Sequence, residues 1–185
     1  MEIKKILVLV PHPELRGKMH RYCAELFGAG LPGAWAFPPV APLALLSQAV
    51  EPGELKRCAA LLRSHNRGKG DYKIRGGAPE CAAFPLHGLS VFGPRLGIAI
   101  PEAMVSAIGD KAQHWFSPVV LAAAITGATD AISEAVYAVN PPELIFRAAA
   151  LAIMSYTPLP CPAPHSGSEF SYSWKIGRLF WLPHH

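Results

Sequence analysis

The fourteen residues WAFPPVAPLALLSQ (Trp35–Gln48) decide how the first third of this chain is built. They carry no charge, hold three prolines (Pro38, Pro39 and Pro42) and end in the alternation Pro42-Leu43-Ala44-Leu45. Proline lacks an amide donor and clashes with the preceding helical turn, so the stretch cannot be a helix interior. The same residues argue against a fully paired central strand before Leu43. The stretch reads as an extended, largely buried segment.

Helices flank it. Upstream, IKKILVLVP (Ile3–Pro11) is a first strand. PELRGKMHRYCAELFGAG (Pro13–Gly30) is a helix, because Leu15, Met19, Tyr22, Cys23, Leu26 and Phe27 recur at helical spacing with Arg16, Lys18, Arg21 and Glu25 between them. Gly28 and Gly30 end it, glycine being the residue that tolerates the backbone of a helix terminus. Downstream, EPGELKRCAALLRSH (Glu51–His65) is a second helix, with Pro52 in its first turn and Leu55, Cys58, Ala59 and Leu62 on one face.

Further along, NRGKGDYKIRGGAPE reads as a basic, glycine-rich loop around a short strand at Tyr72–Ile74. AAFPLHGLSVFG and RLGIAIP read as β segments turned at Gly93-Pro94. PEAMVSAIGDKAQ is a short helix beginning at Pro101, and HWFSPVVLAAAI is a strand candidate whose alanines leave helix open. Gly127 to Val139 leans helical. LIFRAAALAIMSY is open between helix, on alanine content, and strand. Phe170, Tyr172, Trp174 and Ile176 alternate with Ser171, Ser173 and Lys175, the cleanest period-two pattern in the chain, which predicts a strand with one buried face. RLFWLP is a short closing strand. The order predicts an α+β domain of antiparallel sheets with helices on their outer faces.

Composition agrees with a folded domain. The chain has 185 residues, of which 51% are hydrophobic and 16% charged, enough apolar content for a sizeable core and too little charge for disorder. A net charge of +4 permits an anionic partner without requiring one. Cys23, Cys58, Cys81 and Cys161 stand far apart with no CxxC pair, so no metal centre is expected. No stretch offers the roughly 20 apolar residues a bilayer requires. The N-terminal apolar run is too short for a signal peptide. A cytoplasmic protein with free thiols, no membrane contact and no cofactor is the expectation.

The order and several strings resemble the 2H phosphoesterase superfamily, which includes bacterial 2′-5′ RNA ligases and cyclic nucleotide phosphodiesterases. The strings are FPPVAPLALLS between the two helices, GLSVFGPRLGIAI followed by HWFSPVVLAAA, and the ending FSYSWKIGRLFWLP. The resemblance implies a single domain over residues 1–185 built as two similar lobes in pseudo-twofold array. The chain would exchange lobes near residues 80–90 and again near the last strand. Each lobe of that family places one His-x-Thr motif on a strand facing the cleft. Aligned so, Pro42 and Ala44 stand at the first motif and Val119 and Leu121 at the second. Neither pair can transfer a proton or donate a side-chain hydrogen bond. General acid-base catalysis contributes ~10² to 10⁴-fold per group, so the resemblance implies a fold without phosphodiester chemistry that keeps nucleotide or RNA binding in the inter-lobe cleft.

Two alternatives stand beside this. One is an active cyclic-phosphate or RNA phosphodiesterase with relocated histidines. His87, in HGLS, and His114, just ahead of the second motif position, are the candidates, although residues 87 and 90 of one strand face opposite sides. The other is a protein–protein interaction module using the proline- and alanine-rich surfaces. For phosphate contact, the cluster Arg63, Arg67, Lys69, Lys73 and Arg75, with Tyr72 interleaved, is the best candidate, chiefly Lys69, Lys73 and Arg75. A solvated loop is its ordinary reading. Lys175 and Arg178 with Trp174, Phe180 and Trp181 form a second mixed patch, whose aromatics the alternation assigns to the core. His12, at the end of the first strand, sits where a helix N-terminus follows.

Overall fold

The computed structural model describes residues 3–30, 38–65, 72–74, 80–83, 90–93, 95–117, 119, 124–126, 139, 144–146, 148–160 and 170–182. In chain order the elements are β1 (Lys4–Pro11), α1 (Pro13–Gly28), β2 (Ala41–Leu46), α2 (Pro52–His65), β3 (Tyr72–Ile74), β4 (Glu80–Ala83) and β5 (Ser90–Gly93). They continue with α3 (Glu102–Ile108), β6 (Ala112–Trp115), β7 (Ala124–Thr126), β8 (Leu144–Phe146), β9 (Ala148–Pro160), β10 (Phe170–Ile176) and β11 (Phe180–Trp181). The fold is α+β: a six-stranded sheet in the order β10-β9-β1-β2-β6, with β11 also on β9, and three α-helices among the described residues. The pairs β3-β8, β4-β5 and β5-β7 form two small sheets, and every pairing among the described residues is antiparallel.

α1 and α2 form where the apolar spacing predicts them, and their buried residues are those of the predicted stripes: Leu15, Met19, Tyr22, Cys23 and Leu26 on α1, and Leu55, Cys58, Ala59 and Leu62 on α2. Phe27 is the exception at 51% exposure; it lies in the last turn of α1, past the end of the stripe. LIFRAAALAIMSY is strand in both its parts, β8 and β9. RLGIAIP is not the predicted strand. Arg95 makes a single bridge and Leu96–Ile100 have no regular structure, held to the rest by the Leu96 N–H donating to the Val119 carbonyl at 2.8 Å. Gly127 to Ala138 lie outside the described residues.

The sheet has a core on each face. Leu7 and Leu9 of β1, Leu43 and Ala44 of β2 and Leu151 of β9 pack with α1, α2 and α3. Ile6, Val8, Val10, Leu45, Phe116, Ala152, Met154 and Tyr156 form the core of the second face. β1 therefore has both faces buried, which is why its apolar run is continuous rather than alternating. Burying each such Leu, Ile or Val contributes about 1.5–3 kcal/mol, and β1 and β2 together supply the centre of both cores.

β2 is a paired strand from Ala41, between β1 and β6, in spite of Pro42. Two features reconcile this with the missing amide. Pairing to β6 begins only at Ala44, so Pro42 has a ladder neighbour on one side. The register against β1 also shifts between Leu7 and Val8, so that Leu43 and Ala44 stand opposite Leu7 while Pro42 stands opposite Val8. A bulge of this kind puts two successive residues on one face, and both Leu43 and Ala44 belong to the helix-side core.

The C-terminal strand is interrupted in the same manner. Ile176 pairs with Met154 and Phe180 with Leu151, leaving Gly177, Arg178 and Leu179 opposite Ile153 and Ala152. β10 and β11 are thus one edge run along β9 with a bulge between them, not a strand followed by a returning partner. The Gly177 N–H donates to the Ile153 carbonyl at 2.8 Å, and a Cβ on Gly177 would stand 3.1 Å from that oxygen.

Candidate functional site

α2 presents Lys56, Ala60 and Arg63 along one stripe beside its buried face, because residues three and four apart share a helix side. This stripe faces the end of the C-terminal strand. Between them lies a groove of about 410 Å³, with Lys56, Arg63 and Arg178 as its charged walls and Phe180 as its aromatic one. Ala59 and Ala60 leave the space open, since longer side chains there would fill it.

Among the described residues no carboxylate lines this groove. The ion pair between Lys111 and Glu54 lies elsewhere, and Lys56, Arg63 and Arg178 make no ion pair among the described residues. The Arg178 guanidinium stands 5.6 Å from the centroid of the Phe180 ring, a cation–π contact that holds it at the groove. Trp181 is 65% exposed, so the assignment of this aromatic to the core is corrected. β11 is only two residues long and lies at the sheet edge, and Trp181 pairs with Ala150 of the second-face core, so its indole is on the side of the sheet away from Phe180. Trp174 does pack inward, its ring centroid 5.0 Å from that of Tyr156. Ile176, by contrast, is 36% exposed.

The groove joins the two basic patches legible in the sequence: Arg63 belongs to the first, and Arg178, Phe180 and Trp181 to the second. Lys69 and Arg75 lie outside the described residues, and Lys73 is placed only as a backbone position of β3, opposite Ile145. Lys56 was not singled out by sequence reasoning. Its position one helical turn before Ala60 and two before Arg63 was the available signal.

Of the described positions aligned with the His-x-Thr motifs, Pro42 and Ala44 face opposite sides of the sheet. Pro42 pairs with Val8 on the second face, whereas Ala44 pairs with Leu7 on the helix side. Val119 is buried in the helix-side core. It also lines a second cavity of about 460 Å³, walled by Leu96, Ile98, Trp115 and Phe116 with Arg95 at its rim. Leu121 and His87 lie outside the described residues. His114 is exposed on β6, opposite Leu45, with its ring edge-on to Phe116 at 5.3 Å. His12 precedes α1 and makes no side-chain cap.

The buried groups nearby are chemically quiet. Burial pushes the Cys23 and Cys58 thiols up to about 11, so neither is a thiolate near neutral pH. Among the described residues no cluster of three or more His, Cys, Asp or Glu could hold a metal ion, and no helix is long and apolar enough to cross a membrane. No family model, no curated protein and no solved structure matches this chain.

Proposed function

We propose that this chain binds a phosphate-bearing ligand with a planar base, a nucleotide or single-stranded RNA, in the groove between α2 and β11, and carries out no phosphodiester chemistry. The carrying observation is the groove itself: three cations with no carboxylate among the described residues, beside the Phe180 ring, in about 410 Å³. Guanidinium and ammonium groups supply charge-assisted hydrogen bonds to phosphate oxygens, and the half-buried Phe180 ring with the Arg178 guanidinium beside it supplies planar faces against which a base can stack. A purely apolar partner would leave those cations desolvated without compensation.

The proposal places this site on a 2H phosphoesterase-like, two-lobed architecture whose proton-transfer groups are absent. The order β1-α1-β2-α2, with β1 and β2 antiparallel neighbours, supports that reading. The opposite facing of Pro42 and Ala44 supports the absence of chemistry, because a base and a phosphate-holding hydroxyl must converge on one substrate.

Titration of fluorescein-labelled oligouridine with the full chain tests the reading. Binding should weaken steeply with salt, since each phosphate contact releases counterions. Arg63→Gln and Arg178→Gln should each weaken it by roughly tenfold, the order expected for a lost charge-assisted contact. Ala60→Trp, at an exposed position, should block the groove without lowering the melting temperature. Incubation with 2′,3′-cyclic nucleotides should yield no hydrolysis. Binding that is insensitive to salt and to all three variants would overturn the assignment.

A further inference from the structure

We infer that the ligand of this groove is a single strand of several nucleotides, which leaves the groove along the edge strand β10–β11 to Lys175 and crosses Ser155 to Lys5. The inference rests on the groove being a phosphate site and adds the length and path of what occupies it.

Strand register carries the path. Lys175 pairs with Ser155 across β10 and β9, and Ser155 pairs with Lys5 across β9 and β1. Residues directly opposite each other in a ladder share a face, so Lys175, Ser155 and Lys5 form one row across three strands. Leu7 and Ile153, each two positions from a member of the row, pack in the helix-side core, which sets the row on the helix-bearing face. Phe180 of the groove pairs with Leu151 of that same core, so groove and row lie on one side of the sheet.

The row has the chemistry of a phosphate track. Lys175 and Ser173 are exposed, and Lys5, Ser155 and Thr157 are half-buried. Ser173 pairs with Thr157 and adds two hydroxyls beside the lysines. No Asp or Glu stands on β1, β9, β10 or β11, and neither lysine makes an ion pair among the described residues. Gly177, between Lys175 and the groove, has no side chain to obstruct a strand lying on the sheet.

Dimensions separate a strand from a single nucleotide. Lys175 and Phe180 stand opposite Ser155 and Leu151, four residues apart on β9, about 13 Å along the sheet, and Lys5 lies two strands further across, about 10 Å. One nucleotide seated on Arg63 and Phe180 does not span to both lysines. The span suits the lower end of single-strand site sizes, about four nucleotides or more. An unpaired strand is favoured over a duplex because a groove of about 410 Å³ admits a single base or phosphate and not a double helix. A groove also favours a strand over a flat anionic membrane.

Oligouridines of one, two, four, six and eight nucleotides, titrated against the full chain, provide the test. Affinity should rise with length to about six nucleotides and then level off. Lys175→Gln should weaken the hexamer by roughly fivefold and lower its salt slope by about 0.7, while leaving the mononucleotide unchanged. Lys5→Gln should do the same; should that half-buried position fail to fold, Lys175→Glu, fully at the surface, must weaken the hexamer further than Lys175→Gln. Arg63→Gln should weaken every length. A mononucleotide that binds as tightly as the hexamer, or a hexamer indifferent to Lys175, overturns the track and leaves the groove intact. No binding of any length overturns the groove itself. Lys175-dependent binding to vesicles of phosphatidylserine and phosphatidylcholine without oligouridine binding overturns both.

Discussion

Tyr22 shows how a single residue reports on the core. It is 1% exposed on α1, and its hydroxyl has no hydrogen-bond partner among the described residues. Burial, with the neighbouring Cys23 and Glu25 adding, pushes it up to about 12. A buried hydroxyl without a partner costs about 1–3 kcal/mol, so Tyr22→Phe should stabilise the protein by about 1 kcal/mol, a rise of roughly 2–4 °C in melting temperature. The sign with pH follows from linkage: a group whose folded pKa is raised contributes stability below its unfolded value near 10 and loses it as pH rises. The melting temperature of Tyr22→Phe should therefore fall less than that of the wild type above pH 10, and a variant that melts lower at pH 7 would contradict the orphaned hydroxyl. At this scale the sequence announced Tyr22 as core through helical spacing, but not that Phe27, five residues on, is exposed. Nor did periodicity announce Trp181, because a two-residue strand beside a bulge has too few positions to show which side is covered.

Among elements, the contact between α2 and the segment before β6 is the most localised. The Lys111 ammonium donates to both carboxylate oxygens of Glu54, and the Glu51 N–H donates to Glu54 Oε2 at 2.8 Å. The Ser47 N–H donates to the Lys111 carbonyl at 2.9 Å, so the start of α2, the end of β2 and the start of β6 are tied together. Lys111, and then the Glu51 amide, hold the Glu54 carboxyl below its ordinary value. A depressed carboxylate contributes stability above its unfolded pKa near 4.3 and loses it as pH falls through the folded value. Glu54→Gln should therefore melt below the wild type at pH 7, with the two curves converging by pH 3; a gap that persists at pH 3 would show that the ion pair is not its source. The two long helices were legible because their apolar stripes are amphipathic. RLGIAIP looked like a strand because its apolar residues alternate, yet alternation specifies which side is covered and not whether a neighbour pairs the backbone.

For the whole molecule, the α+β class followed from element order, whereas the strand order β10-β9-β1-β2-β6 did not, since pairing between segments some 150 residues apart leaves no local trace. The groove has the same origin: α2 ends at His65 and the opposing wall begins at Arg178. The two bulges were also invisible, and one of them governs how the motif positions face. The variant Pro42→His/Ala44→Thr should accordingly gain no hydrolysis of 2′,3′-cyclic nucleotides. It should lose about 1–3 kcal/mol, because a threonine hydroxyl enters the fully buried Ala44 position. Cyclic phosphodiesterase activity in that variant would show that the two side chains converge after all. The bulge at Gly177–Leu179 has a consequence of another kind. β10 and β11 form an outer edge of the main sheet, and a straight, apolar edge is a template on which further chains can pair and aggregate. Here the extra residue bends the edge, and Lys175 and Arg178 put a positive charge on either side of Gly177. An incoming strand of another copy would meet a broken hydrogen-bond ladder and its own like charges, so this edge resists fibre growth.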